Sequence, residues 1–135
     1  MIIDSSAIVA LLLDEPRAAE IDRILVTHAS KMSAPTLVEV RAVVGGRLGP
    51  AGLRALDVLL RTYATEIVAF DPAQAEIASA AYQDFGRGSG HSTGLNLGDT
   101  FSYALAHATD EPLLYVGDDF AHTGIRSALA EFGGG

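Results

Sequence analysis

The feature that most limits the fold is a set of apolar runs of strand length, separated by amphipathic stretches of helical length. The runs are Met1-Ile2-Ile3-Asp4, Met32-Ser33-Ala34, Glu66-Ile67-Val68-Ala69-Phe70 and Leu113-Leu114-Tyr115-Val116. Between them, Ser5-Ser6 caps a short helix over Ala7 to Leu13, closed by Pro16. Ala18, Ile21, Ile24 and Leu25 share one helical face, and Pro35-Thr36 opens a helix through Val44 that Gly45-Gly46 is expected to stop. After Gly49-Pro50, Leu53, Leu56, Leu60 and Tyr63 form another apolar stripe. Asp71-Pro72 reads as an N-cap with proline at N1, leading to the stripe Ala78, Ala81, Tyr82 and Phe85. A helix from about Leu97 to Ala108 turns Phe101, Ala104, Leu105 and Ala108 inward, and a last element lies around Ile125 to Leu129. The stretch from Gly86 to Gly94 is a glycine-rich loop, and Gly133-Gly134-Gly135 is expected to fray.

Strands joined by crossover helices pair in parallel, and near-continuous apolar strands are covered on both faces. The expected fold is therefore α/β: a three-layer α/β/α sandwich around a small, mainly parallel sheet. A length of 135 residues fits one domain, 1–135, and 49% hydrophobic against 19% charged residues excludes disorder.

Nine basic residues against seventeen acidic ones leave a formal charge of −8, which argues against a bulk electrostatic nucleic-acid binder. The lack of cysteine excludes a disulfide framework, thiolate zinc and a cysteine nucleophile. The first residues lack the basic start of a signal peptide. The apolar turn Ala7 to Leu13 is broken by Asp14-Glu15-Pro16, far short of the roughly 20 residues that span a bilayer. A soluble, cytoplasmic protein with no membrane partner is expected.

The informative acids are those at strand ends. Asp4 closes one apolar run and Asp118-Asp119 follow another, the edge of a parallel sheet where ligands bind. Glu39 lies in the helix after the second run, with Ala42 and Val43 at i+3 and i+4, which is expected to turn its carboxylate toward protein. Asp99 falls in the first turn of its helix, sharing a face with Ser102 and Tyr103. Each acid alone is equally explained as a helix cap or a charge complementing the helix dipole. Brought together, they repel and call for a cation, and no lysine or arginine adjoins them in sequence. An all-oxygen site favours Mg²⁺ or Mn²⁺ over zinc, and such ions pair with phosphate chemistry.

Competing motifs fail. Gly86-Arg87-Gly88-Ser89-Gly90 follows a helix and lacks the Gly-Lys-Ser/Thr of a phosphate loop. No Gly-x-Ser-x-Gly elbow occurs, and His28, His91, His107 and His122 lack zinc-ligand spacing. A receiver-like domain needs a late lysine, whereas the only lysine is Lys31.

Several segments together resemble the PIN-domain ribonucleases, specifically the VapC type of toxin. They are Met1-Ile2-Ile3-Asp4-Ser5-Ser6-Ala7, Ser33-Ala34-Pro35-Thr36-Leu37-Val38-Glu39, Gly94-Leu95-Asn96-Leu97-Gly98-Asp99 with Phe101-Ser102-Tyr103, and Leu113 to Phe120 with His122-Thr123. The resemblance implies a Mg²⁺- or Mn²⁺-dependent endoribonuclease that hydrolyses RNA phosphodiesters through a metal-activated water. It implies metal ligation by Asp4, Asp99, Glu39 and a fourth acid. Asp119 is favoured because it precedes Phe120, and Asp118 stays open. Ser6 matches a hydroxyl residue that supports the first aspartate or the attacking water. A VapB-type antitoxin, a homodimer, and tRNA or ribosomal RNA as substrate are implied as partners. Phosphates beyond the acids need local positive charge, for which Arg87 and Arg41 are candidates, with Arg47 and Arg126 behind them. The apolar face of Leu53, Leu56 and Leu60 and the turn Leu11-Leu12-Leu13 are candidate partner surfaces, with core packing as their other use. The competing reading is a non-catalytic α/β partner-binding module whose acids are helix caps.

Overall fold

In the computed structural model, which describes residues 1–86, 88–90 and 94–133, the two isoleucines at the start of the chain form β1 (Ile2–Ile3). This strand is flanked on both sides. The sheet order is β3 (Glu66–Val68), β2 (Lys31–Ser33), β1, β4 (Leu113–Leu114), with every pairing parallel. Ile2 pairs with Leu113 and Ile3 with Leu114. Because side chains alternate across a strand, Ile2 and Leu113 enter one core while Ile3 and Leu114 enter the other.

The two cores account for the three layers. α1 (Ser5–Leu12), α2 (Ala18–Thr27) and α3 (Ala34–Thr62) cover the Ile3 face through Ile8, Ile21, Ile24, Val40 and Leu56, joined by α6 (Ala128–Phe132). α4 (Pro72–Phe85) and α5 (Leu97–Thr109) cover the Ile2 face through Ala81, Tyr103 and Leu105. The chain steps from β1 to β2 to β3 in one direction and then returns to lay β4 against the far side of β1. That reversal puts a topological switch between β1 and β4, where loops diverge and a crevice opens at the carboxyl ends of the strands. Among the described residues no helix is long and apolar enough to cross a membrane.

The expected helix stop at Gly45-Gly46 does not occur. Both glycines lie within α3, and the break falls at Gly49, with φ 66° and ψ −160°. Only glycine adopts that conformation readily, and Pro50 restarts the helix with its missing N–H at no cost. The two arms fold back on each other as a helical hairpin. Arg41 Nη2 meets Asp57 Oδ1 at 2.9 Å across it, and Leu53 packs beside Gly45. The strands are also shorter than expected: Ala34, Ala69, Phe70, Tyr115 and Val116 all lie outside them. The last helix begins at Ala128, later than the Ile125 start read from the sequence.

The apolar surfaces named from sequence are mostly core. Leu56 is fully buried and Leu53, Leu60, Leu11 and Leu12 pack against it or its neighbours. The exposed large apolar side chains include Val38, Val58 and Leu97.

Opposite the crevice, the amino edge of the sheet is held by charge. The Met1 ammonium and Lys31 Nζ both pair with Glu111, at 2.8 and 2.9 Å. Burial pushes the Glu111 carboxyl up, but these two donors outweigh it and bring it down to about 2.

The hairpin makes a paired expectation. Gly49→Ala should lower unfolding free energy by about 1–3 kcal/mol, the strain of a side chain in that region. Gly46→Ala, exposed and with open space around it, should raise it by about 0.5–1 kcal/mol. Urea denaturation of the two variants measures both. Equal effects at the two positions would refute the placement of the break.

Candidate active site

Asp4 follows β1 directly and its backbone N–H continues the ladder to Leu114 O at 3.0 Å. The residue is only 2% exposed, and a carboxylate so buried needs hydrogen-bond donors. Three donors supply it. Ser6 N–H and Ser6 Oγ–H reach Oδ2 at 3.1 and 2.7 Å, and Ser102 Oγ–H reaches Oδ1 at 2.6 Å. The Ser6 N–H bond makes Asp4 the N-cap of α1. Ser6 Oγ in turn accepts from Val116 N–H at 3.0 Å, which ties α1 to the segment after β4. Ser102 lies on α5 and its hydroxyl faces Thr36 of α3 at 3.4 Å.

Asp99 occupies N3 of α5 in a capping box: Asn96 Oδ1 accepts from Asp99 N–H at 2.8 Å, and Asp99 Oδ2 accepts from Asn96 N–H at 3.0 Å. Burial pushes its carboxyl up to about 7. The Asn96 bond opposes that, while the negative charge of Asp4 and the charge and hydrogen bond of Asp119 add to it. Glu39 approaches from α3. Its Oε1 accepts from Ser5 Oγ–H at 2.9 Å, and its carboxylate rests against Gly98 in the first turn of α5. Burial and the charge of Asp4 raise the Glu39 carboxyl above its ordinary value, against the Ser5 bond.

Asp118 and Asp119 part company. Asp119 lies near enough to Asp99 to help raise its carboxyl, whereas Asp118 lines a separate cavity of about 310 Å³ with Arg17, Tyr115 and Ser127. Asp4, Glu39, Asp99 and Asp119 therefore influence one another electrostatically at the carboxyl edge, beside the strand-order switch. The cluster is looser than the sequence led us to expect. Among the described residues, no three His, Asp or Glu side chains converge closely enough to grip one ion as they stand. Asp4 and Glu39 are drawn to their serine donors, and like charges keep the set open.

The donor set is oxygen throughout, and none of the described ion pairs involves any of the four acids. Such a set fits a hard divalent cation that closes the cluster by pairing with its charge. None of the larger cavities is here. One of about 570 Å³ lies between the α3 hairpin and β3, and one of about 350 Å³ between α4 and α5. An open acidic edge suits a polymer better than an enclosed small molecule.

The PIN domain family matches residues 1–125. The chain belongs to that family, in its VapC group. It is 50% identical over 129 residues to ribonuclease VapC42 of Mycobacterium tuberculosis, covering 95% of this chain and 98% of that one. It is 45% identical over 130 residues to ribonuclease VapC28 of the same organism, with coverage of 96% and 98%. Among solved structures, M. tuberculosis VapC20, a sarcin-ricin loop cleaving toxin, superposes with a TM-score of 0.74 at 16% identity, covering 92% of this chain and 95% of that one. VapBC2 from Rickettsia felis, bound to a DNA fragment from its promoter, gives 0.68 at 14%, with coverage of 93% and 94%. These two likenesses establish the PIN fold of the chain.

Within this PIN domain Arg41 and Arg126, two of the arginines read as substrate contacts, lie apart from the acids. Arg41 is paired with Asp57 across the α3 hairpin. Two residues from Glu39 on a helix is about 200° of rotation, so Arg41 faces the other way. Arg126 pairs with Glu131 near the start of β4, at the opposite edge. Arg87 lies outside the described residues, as do His91 and the other residues at 92–93 in the glycine loop.

Sequence reasoning missed Ser5, Ser102 as a donor, and Gly98. Ser102 was visible as an i+3 neighbour of Asp99; nothing local marks Ser5 or Gly98, because both act on a side chain from another helix. The reasoning for Glu39 also changes. Ala42 and Val43 are exposed, and Glu39 is half-buried because Ser5 and the start of α5 cover it.

The raised Asp99 carboxyl sets a sign. Between the ordinary carboxylate range and about pH 7 the folded, metal-free protein holds a proton that the unfolded chain has released. Its stability should therefore fall as pH rises through about 7. Thermal melts without metal from about pH 5 to about pH 8 should show that fall, and Asp99→Asn should flatten it; an unchanged slope in the variant would refute the assignment. Glu39→Gln keeps an acceptor for Ser5 and removes a charge that burial disfavours. It should raise the metal-free melting temperature, and a clear drop would count against repulsion at this edge.

Proposed function

We propose that this PIN domain is a Mg²⁺- or Mn²⁺-dependent endoribonuclease toxin that hydrolyses RNA phosphodiester bonds in the cytoplasm and is neutralised by a cognate antitoxin. One observation carries the reading. Acids from four separate segments lie together at the strand-order switch, in a chain half identical to ribonuclease VapC42. Helix capping accounts for Asp4 and Asp99 one at a time, as the non-catalytic alternative requires. It does not account for Asp119 beside Asp99, or for Glu39, which caps nothing.

Asp4 and Asp99 would hold the cation, with Asp119 and Glu39 completing its surroundings. A bound divalent cation supplies charge neutralisation at the phosphate and a water acidic enough to react at neutral pH. The chain's own residues prepare that position. Ser6 and Ser102 orient Asp4 through both carboxylate oxygens. The capping box fixes Asp99, so its carboxylate is pre-aimed before substrate arrives. The proton that burial holds on the Asp99 carboxyl would be given up to a bound cation.

The substrate we favour is a structured RNA of the tRNA or ribosomal class, in keeping with the sarcin-ricin loop cleaved by the VapC20 toxin. A backbone phosphate beyond the acids would meet Arg87, since Arg41 is paired with Asp57 on the other side of its helix. A VapB-type antitoxin would set a basic side chain among the acids. Exposed Val38 and Leu97 offer apolar area for it or for a homodimer.

Purified protein should cleave RNA with Mg²⁺ or Mn²⁺ and stop with EDTA. Asp4→Asn and Asp99→Asn keep acceptors for the caps, and should stay folded while losing about 100-fold or more in kcat. Gel assays on total RNA beside circular dichroism test this. Folded wild type that leaves RNA intact under both metals would favour the non-catalytic module.

A further inference from the structure

Glu39, unlike Asp4 and Asp99, is held by no backbone cap among the described residues. Ser5 fixes one carboxylate oxygen at 2.9 Å, and the rest of the group lies against α5 at Gly98. A Cβ built on Gly98 would fall 1.7 Å from Glu39 Oε2, 2.6 Å from Cδ and 3.0 Å from Oε1. Its three nearest neighbours would all be atoms of that one carboxylate. The backbone of Gly98 is ordinary helix in the first turn of α5, so conformation gives no reason for glycine there. Alanine would be the stronger helix former. The atoms in the way are the far end of a flexible side chain, so a larger residue would not unfold the chain. It would expel Glu39.

We infer that Gly98 is a positioning residue: its missing side chain is the space in which the Glu39 carboxylate sits, beside α5 and facing Asp4. Van der Waals exclusion holds the position from one side and the Ser5 hydroxyl from the other. The partial positive charge of the α5 N-terminus favours a carboxylate there. The inference rests on reading Glu39 as part of the ribonuclease site, but one arm of its test is independent of that activity.

That arm is a double-mutant cycle read by thermal melting without metal. Gly98→Ala should stabilise the Glu39→Ala background more than the wild type, because only the wild type has a carboxylate to displace. Melting temperatures that add would overturn the inference, since independent sites add. The second arm uses function. Gly98→Ala should lower Mn²⁺ affinity in calorimetry, and kcat on RNA, by about 10–100-fold, while melting no lower than wild type. A purely structural glycine would do the reverse. Adding Glu39→Asp, whose carboxylate is withdrawn by one methylene, should recover activity above that of Gly98→Ala alone; a double variant no better than the single one overturns the inference. Wild type that binds Mn²⁺ without cleaving RNA sinks the ribonuclease reading alone, and the melting cycle then decides the role of Gly98.

Discussion

The carboxylate of Asp4 organises this molecule. It stands at the end of β1, almost wholly buried, and its hydrogen bonds reach α1 through Ser6 and α5 through Ser102. Ser6 extends the connection to Val116 beyond β4. Two neighbouring strand ends and a helix from each outer layer are thus registered on one charged group. Burial of a charge is costly unless it is hydrogen-bonded, so the donors are required by the acid as much as the acid is positioned by them. Whatever approaches the crevice meets a carboxylate that cannot swing away.

Around that anchor the same acids serve structure and, on the reading proposed above, chemistry. Asp4 caps α1, and Asp99 completes the capping box of α5. Each stabilises its helix start, yet their proximity with Asp119 and Glu39 is unfavourable, which is why burial and like charge raise Asp99 and Glu39 together. The metal-free fold answers with a proton and with serine donors. On the reading proposed above, a divalent cation would answer the same repulsion more completely, and relief of that repulsion would add to its affinity. At the other end of the sheet Glu111 is balanced by the Met1 ammonium and Lys31. There the carboxylate meets two cations supplied by the fold itself.

Much of this was legible in the chain. Alternation of short apolar runs with amphipathic helices implied the layered α/β sandwich, and strand-terminal Asp4 and helix-initial Asp99 marked the edge that matters. The errors have local causes. Gly45-Gly46 looked like a stop because glycine weakens helices, but packing against the second arm carries the helix on to Gly49, where the backbone needs glycine. Glu39 was judged from Ala42 and Val43, its neighbours on the same helix, although another helix covers it. Arg41 was weighed as a substrate contact without sight of Asp57, sixteen residues on and across the hairpin.

Contiguous sequence determined the fold class, since periodicity and strand-end position are properties of it, and the resemblance carried by its motifs gave the family and a candidate set of acids. Three dimensions added the influence of Asp119 on Asp99, an acid the resemblance already favoured over Asp118, and they alone supplied the serine donors and the vacancy at Gly98 that Glu39 fills. Each of these depends on which atoms from distant segments come within a few ångströms of one another. Sequence order does not encode that distance; the packing of α3 and α5 over the end of β1 does.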